Sequence, residues 1–210
     1  RGTGAEQGRA ILVWTTTPWT LVSNVALAVH PEIDYLRVAA AGEELWVAEA
    51  RAPHALTGEW TVVEKRKGAD LVGLRYEPLF PYASAGDAGY RIVAADFVSI
   101  EEGTGIVHMA PAFGEDDAAV GRREGLPTIQ PVDSRGRFDA TVTPWAGRFV
   151  KEADPEIIRD LKTRSLLYKR ETVVHSYPHC WRCESPLLYY AKKSWFVRTT
   201  ARQKDLIEQN

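Results

Sequence analysis

The run WTTTPWT, residues 14 to 20, places hydroxyl and aromatic side chains side by side near the start of the chain. Three threonines, Thr15, Thr16 and Thr17, stand between Trp14 and Pro18. Threonine hydroxyls donate and accept hydrogen bonds, but they are poor nucleophiles without a neighbouring base. Because threonine also favours strands, this run alone indicates only a structural role. Chemistry here requires a second group of polar residues.

A second stretch, GTGIVHMAPAFGEDD, supplies a histidine and two adjacent acids. Gly103 and Gly105 permit a close approach of the backbone, His108 is predicted at a strand end, and Asp116 and Asp117 follow. Each residue also has a structural interpretation, because lone histidines are commonly packed and acids stabilise helix starts. Glycines, a histidine and carboxylates within one short stretch are nevertheless typical of a functional site.

The elements expected to position these residues are mainly strands. Short β-branched and aromatic runs between turn residues predict a mainly β core, a barrel or sandwich, with a few peripheral helices, α+β overall. The predicted strands are ILVWTTT (11–17), DYLRVAA (34–40), EELWVAEA (43–50), EWTVVEKRK (59–67), YRIVAADFVS (90–99), TGIVHMA (104–110) and ETVVHSYP (171–178). On a strand, Thr15 and Thr17 would face one side and Trp14 and Thr16 the other, unless Pro18 bends the chain.

Two helices are predicted beside the strands. One begins at Asp154 as N-cap, with Pro155 at the first helical position and Ile157, Ile158 and Leu161 on one face. The sequences of the two helices are DPEIIRDLKTRSLL and EDDAAVGRRE.

Length and composition fit one substantial core. The chain has 210 residues, of which 45% are hydrophobic and 26% charged. Its net charge of -2 does not produce the overall positive potential that would attract nucleic acid. No apolar run reaches the roughly 18 residues of a membrane helix, so a cytoplasmic location without a membrane partner is expected. We expect residues 1–170 to form the β domain and 171–210 a connecting segment. The start at Arg1 and the end in a helix-like sequence favour a piece of a longer protein.

Both cysteines lie in HCWRC, within the predicted connecting segment. Cys180 and Cys183 have the C-x-x-C spacing of half a tetrahedral zinc site, and a redox pair is the alternative. His175 and His179 could supply further ligands.

These stretches together resemble one known family. WTTTPWTLVSN and GTGIVHMAPAFGEDD, with GLRYEPLF between them and HCWRCESPLLYYAKKSWF after them, are similar to the editing (CP1) insertion of isoleucyl-tRNA synthetases, which are class I enzymes. Valyl enzymes usually carry Arg at the position of Thr17 and an acid at that of Trp19, and leucyl enzymes lack His108. The catalytic HIGH and KMSKS signatures are missing from the sequence, so no amino-acid activation is expected of this chain.

The resemblance implies an ester hydrolase that removes valine from mischarged tRNA(Ile). Valyl-adenylate would be a further substrate. Asp117 would hold the ammonium group of valine, while Thr16 and Thr17 would surround the ester and the attacking water. Because no activated nucleophile is evident, water is expected to attack directly, with assistance from the vicinal ribose hydroxyl. Thr15 and Asn24 are further candidates for substrate binding.

A size argument explains why such an enzyme needs a second site. One methylene is worth only about 1 to 3 kcal/mol in a hydrophobic pocket, and isoleucyl-tRNA synthetase is the standard example of this limit. A second pocket too small for isoleucine reverses the selection. Trp19, Thr20 and His108 are the expected walls, and His108 could also act as a hydrogen-bond partner of the ribose or as a base.

Three alternatives stay open at the level of sequence. One is a valyl-type domain that clears threonine, and another is a general hydrolase of small esters. The third is a noncatalytic module that binds the tRNA acceptor end through basic residues such as Lys192, Lys193 and Arg198. The resemblance implies no cofactor for editing, possible zinc at the cysteines of the full-length enzyme, and the rest of the synthetase as a partner.

Overall fold

The computed structural model describes residues 8–172 and 176–209 as a set of short strands with helices between them. Its strands are β1 (Arg9–Ile11), β2 (Ala26–Val29), β3 (Asp34–Ala40), β4 (Glu43–Ala48), β5 (Trp60–Lys67), β6 (Arg91–Ala94) and β7 (Val107–Met109). Its α-helices are α1 (Ala52–Ala55), α2 (Gly68–Leu71), α3 (Glu115–Glu124), α4 (Val150–Thr163) and α5 (Gln203–Glu208). Short 3-10 helices cover Pro18–Ser23, Glu49–Arg51, Thr143–Trp145 and Thr199–Arg202.

The strands form two mixed sheets. The first has the order β1-β4-β3-β5, with β3 antiparallel to β4 and β5 and β1 parallel to β4. The second has the order β6-β2-β7, with β2 parallel to β6 and antiparallel to β7. A parallel bridge between Trp14 and Val107 joins the sheets, because Trp14 follows β1 by three residues and Val107 begins β7. The predicted α+β class is confirmed.

The core between the sheets is built from residues of both. Leu27 of β2, Tyr35 of β3 and Trp46 of β4 belong to one buried cluster. Strand β2 is buried at all four positions, as expected of a central strand covered on both faces. This strand and β7 form the rigid frame on which the predicted histidine lies.

The threonine run does not form the predicted strand. Strand β1 ends at Ile11, and the N–H of Thr17 donates to Thr15 Oγ1 at 3.1 Å. A hydroxyl that captures the N–H two residues later makes a turn and competes with strand pairing. The 3-10 helix Pro18–Ser23 then carries the chain away, with proline at its first position.

Helix α4 begins earlier than predicted. Its N-cap is Phe149, so Asp154 and Pro155 lie inside the helix and the prediction of Asp154 as N-cap is wrong. Val150 and Ala153 are buried in the same cluster as Ile157, and this burial extends the helix toward its N-terminus. The predicted apolar face is present, since Ile157 and Leu161 are buried and Ile158 is half-buried.

The remaining predictions had mixed outcomes. Helix α3 covers the predicted residues and ends at Gly125, which has the left-handed conformation typical of a C-cap. The strand predicted over 171–178 is not found at residues 171, 172 and 176–178, and its other residues, including His175, lie outside the described residues. The domain boundary near residue 170 stays a prediction. No helix in the described part of the chain has the length and apolar character required to cross a membrane.

Candidate functional site

Three threonines and a histidine predicted from the sequence form one hydrogen-bonded group, called here the threonine-histidine cluster: Thr15, Thr17, Thr20 and His108. Thr20 Oγ1 lies 2.9 Å from Thr17 Oγ1, 2.9 Å from His108 Nε2 and 2.8 Å from the carbonyl oxygen of Thr17. Thr15 Oγ1 lies 3.4 Å from Thr17 Oγ1. The turn at Thr15 and the following 3-10 helix bring the Thr20 hydroxyl to those of Thr15 and Thr17, whereas a continuous strand would place Thr20 on the opposite face.

His108 reaches the cluster from strand β7, where it pairs with Leu27 of β2. Burial lowers the pKa of His108 to about 4, so the imidazole is neutral at pH 7. Among the described residues, its buried Nδ1 atom has no hydrogen-bond partner. The ring is therefore an uncharged polar group in an apolar frame.

A cavity of about 500 Å³ opens beside the cluster. Thr15, Thr16, Asn24 and His108 line it, so the turn brings two successive threonines to one cavity. Thr17, Trp19, Thr20 and Asp117 are predicted site residues that do not line it. The hydroxyls of Thr17 and Thr20 lie behind this wall, in contact with it through Thr15 and His108.

Trp19 is fixed by the neighbouring helix. Its ring packs edge-on against Phe113 with centroids 4.8 Å apart, and its backbone N–H donates to Asp154 Oδ1 at 2.8 Å. Burial raises the pKa of Asp154 to about 6, opposed by the Trp19 N–H. Asp154 thus anchors the start of the 3-10 helix, a role that the sequence analysis missed because an anchor 135 residues away leaves no local pattern.

Asp117 lies in the first turn of α3, whose N-cap is Gly114. Asp117 Oδ2 accepts the N–H of Ala110 at 2.8 Å, two residues beyond His108. Burial raises the pKa of Asp117, and the Ala110 N–H opposes that shift. Asp116 is exposed, so the two adjacent acids differ in surroundings. A Cβ at Gly114 would lie 3.0 Å from Asp117 Cγ, so glycine leaves room for this carboxyl group.

Asn24 is held rigidly at the end of the 3-10 helix. Its Nδ2 donates to the carbonyl oxygen of Ala26 at 2.8 Å, and its Oδ1 accepts the Tyr76 hydroxyl at 2.5 Å. Burial raises the pKa of Tyr76, so its hydroxyl keeps the proton that this bond uses. Tyr76 belongs to the GLRYEPLF stretch, and its pairing with Asn24 was not predicted.

The two glycines before His108 allow the close approach expected of them. Gly103 has a φ of +65° and lies against the Trp14 ring, where a Cβ would come within 2.9 Å of ring carbons. Gly105 has a φ of +72° and lies against Ala48. They let the chain enter β7 tightly packed between the two sheets.

The cysteines form a turn far from the cluster in sequence. The Cys180 carbonyl oxygen accepts the N–H of Glu184, and Cys183 Sγ lies 2.9 Å from Ser185 Oγ. That serine contact lowers the pKa of the Cys183 thiol. Within residues 8–172 and 176–209 no three His, Cys, Asp or Glu side chains are grouped to hold a metal. His179 contacts the Tyr177 carbonyl oxygen, and zinc at Cys180 and Cys183 stays a prediction.

The relatives found by comparison with known proteins are isoleucine-tRNA ligases. The chain is 51% identical to isoleucine-tRNA ligase of Clostridium novyi over 98% of its own length and 20% of that protein. It is 47% identical to isoleucine-tRNA ligase of Mycobacterium tuberculosis over 97% of its length and 21% of that protein. The chain thus spans about a fifth of the length of these relatives. No protein-family model matches it.

Solved structures of low sequence identity share the fold. The crystal structure of GlLeuRS-CP1 matches with a TM-score of 0.58 at 20% identity, covering 82% of this chain and 87% of that one. The editing domain of the P. falciparum cytosolic leucyl-tRNA synthetase matches with a TM-score of 0.58 at 11% identity, covering 76% and 79%. Over nearly its whole length the chain is thus a close homologue of isoleucine-tRNA ligases, matching about one fifth of their length, and it shares the fold of solved synthetase editing domains.

Proposed function

We propose that this chain is the editing part of an isoleucine-tRNA ligase and hydrolyses valine from mischarged tRNA(Ile). The observation that carries the proposal is the threonine-histidine cluster beside a cavity of about 500 Å³. Two members of the cluster, Thr15 and His108, line that cavity. Valyl-adenylate is a second substrate of the same site.

Water is the nucleophile in this proposal. Thr16 and Thr17 orient the ester and the water molecule in this proposal, which is supported by the position of Thr16 in the cavity lining and by the 3.4 Å contact of Thr17 Oγ1 with Thr15 Oγ1. A threonine hydroxyl attacks poorly without a base, and the only imidazole in the cluster is neutral and buried. The protein therefore contributes orientation and hydrogen bonds, without a covalent intermediate.

In this proposal Asp117, which does not line the cavity but lies against the end of β7, binds the ammonium group of valine. It is half-buried and close to the end of β7, where its carboxylate faces less competition from water than the exposed Asp116. A charge-assisted bond of this kind distinguishes the free amino group of an aminoacyl ester from an acylated one.

Size provides the specificity. In this proposal His108, which lines the cavity, and Trp19 and Thr20, which do not line it but lie next to its lining residues Pro18 and Leu21 in the chain, limit the space to the size of valine and reject the extra methylene of isoleucine by steric overlap. All three side chains are buried and held by named contacts, so they cannot move aside without cost. This is the second sieve of a proofreading synthetase in protein biosynthesis.

The partners follow from the same proposal. They are the acceptor end of tRNA(Ile) carrying valine and the remaining four-fifths of the ligase, in the cytoplasm. Editing needs no cofactor. Cys180 and Cys183 would hold zinc only if the full-length enzyme supplies the other ligands, and the metal would then stabilise the connecting segment.

A matched pair of aspartate variants tests the proposed hydrolysis. Asp117→Ala is expected to slow the release of valine from valyl-tRNA(Ile) on the order of 10²-fold, because a bond to a charged group is lost. Asp116→Ala removes the same charge from the same helical turn and is expected to keep the wild-type rate. The measurement is the single-turnover rate constant of deacylation.

Two results would count against the proposal. An Asp117→Ala chain that deacylates at the wild-type rate would remove the ammonium-binding role. A wild-type chain that binds tRNA tightly without cleaving the ester would instead indicate a noncatalytic acceptor-end module.

A further inference from the structure

The hydroxyl of Thr20 has three polar neighbours, and counting hydrogens determines which of them donate. Its Oγ1 lies 2.8 Å from the Thr17 carbonyl oxygen, 2.9 Å from Thr17 Oγ1 and 2.9 Å from His108 Nε2. A hydroxyl has one hydrogen and two acceptor sites, and a carbonyl oxygen only accepts. Thr20 must therefore give its hydrogen to the Thr17 carbonyl oxygen. The other two neighbours must then be donors.

This count fixes the protonated nitrogen of His108. Since Thr20 has no hydrogen left to donate, the hydrogen of the 2.9 Å contact belongs to His108 Nε2. A neutral imidazole carries one hydrogen, so Nδ1 is the unprotonated atom. Among the described residues Nδ1 has no partner, which fits an unprotonated atom better than a buried N–H.

We propose that Thr20 is a positioning residue that holds His108 as the neutral Nε2–H tautomer. The proposal rests on the proposed function for its catalytic consequence. Nε2 then faces a threonine as a donor and does not act as a base toward the ester. The Thr17 hydroxyl also gives its hydrogen to Thr20, so toward a water molecule Thr17 acts only as an acceptor.

Thr20 thus has two separable roles, packing behind the cavity wall and accepting a hydrogen bond. Thr20→Val keeps the branched shape of the side chain but removes the hydroxyl. Thr20→Ser keeps the hydroxyl but removes the methyl group. If Thr20 acts only through its shape, Thr20→Val should reduce the rate of valyl-tRNA hydrolysis less than Thr20→Ser. If Thr20 positions His108, Thr20→Ser should reduce that rate less.

The nitrogen shifts of His108 test the proposal in the free chain. In a chain with ¹⁵N-labelled histidine, long-range proton-nitrogen correlation at neutral pH distinguishes protonated from unprotonated ring nitrogens, and His108→Gln assigns the signal. We expect Nε2 to be protonated and Nδ1 unprotonated in the wild type and in Thr20→Ser. Thr20→Val is expected to shift the Nε2 signal because its acceptor is gone.

Single-turnover hydrolysis of valyl-tRNA(Ile) supplies the second readout. Thr20→Val is expected to lower the rate constant on the order of tenfold, the cost of one hydrogen bond, and Thr20→Ser to retain more of it. A wild-type His108 protonated at Nδ1, or unchanged nitrogen shifts in Thr20→Val, would overturn the proposal. The nitrogen shifts need no hydrolysis, so a failure of the proposed function would appear separately, as an inactive wild-type chain with the expected tautomer.

Discussion

One turn, at Thr15, sets the hydrogen bonds of the candidate site. Thr15, Thr17, Thr20 and His108 were chosen from the sequence, and the structure joins them in one hydrogen-bonded cluster. Their roles toward a substrate stay predictions. The direction of each hydroxyl could not be predicted, because it depends on the turn at Thr15 and not on the residue types.

The buried imidazole makes the stability of the protein depend on pH. The pKa of His108 is lowered from 6.5 to about 4 in the folded chain. Between these two pH values the unfolded chain is protonated at His108 and the folded chain is not. The free energy of unfolding is therefore highest above pH 6.5. It falls by about 3 kcal/mol as the pH decreases to 4. Denaturant unfolding between pH 4 and 7 should show this loss in the wild type.

His108→Gln removes the titration and is the matched comparison. Its free energy of unfolding should depend less on pH in this range. Asp154 acts in the opposite direction, because its pKa is raised to about 6 and its contribution is lost as the pH rises. Asp154 is present in both chains, so the difference between them isolates His108. Equal pH dependence of the two chains would contradict a histidine that is neutral because of burial.

At the scale of elements, helices and strands with a regular sequence pattern were predicted. Elements that depend on burial by distant residues were missed or misplaced. Helix α3 and strands β3 to β7 follow runs quoted from the sequence. Strand β2 was missed, because a short run buried on both faces has no alternation. The start of α4 was placed at Asp154 by local capping rules, but burial of Val150 and Ala153 decided it.

The tight entry to β7 gives an element-scale prediction. At Gly105, alanine would meet both a positive φ of +72° and the Ala48 side chain. We expect Gly105→Ala to lower the free energy of unfolding by about 3 kcal/mol, from backbone strain and overpacking together.

Gly86→Ala is the control for backbone strain alone. Its φ is +58°, and a Cβ there has no atom within 4 Å. A loss of about 1 kcal/mol is expected for this variant. Equal losses in the two variants, measured by denaturant unfolding, would show that the contact with Ala48 does not limit the packing before His108.

At the scale of the whole molecule, the class of fold was predictable and the arrangement of sheets was not. Repeated short strands indicated a β core with peripheral helices. The two sheets are joined by the bridge between Trp14 and Val107. These residues are 93 positions apart, so no local sequence pattern predicts their pairing. The second sheet carries His108, and the threonine turn follows directly from the first, so the junction of the sheets creates the site.

The most direct test of the account compares two esters of the same tRNA. The wild-type chain is given valyl-tRNA(Ile) and isoleucyl-tRNA(Ile) side by side, and single-turnover release of each amino acid is measured. We predict release of valine at least about tenfold faster than release of isoleucine, because one methylene must be rejected by packed walls. Equal release of the two amino acids, or release of neither, would contradict an editing site that excludes isoleucine by size.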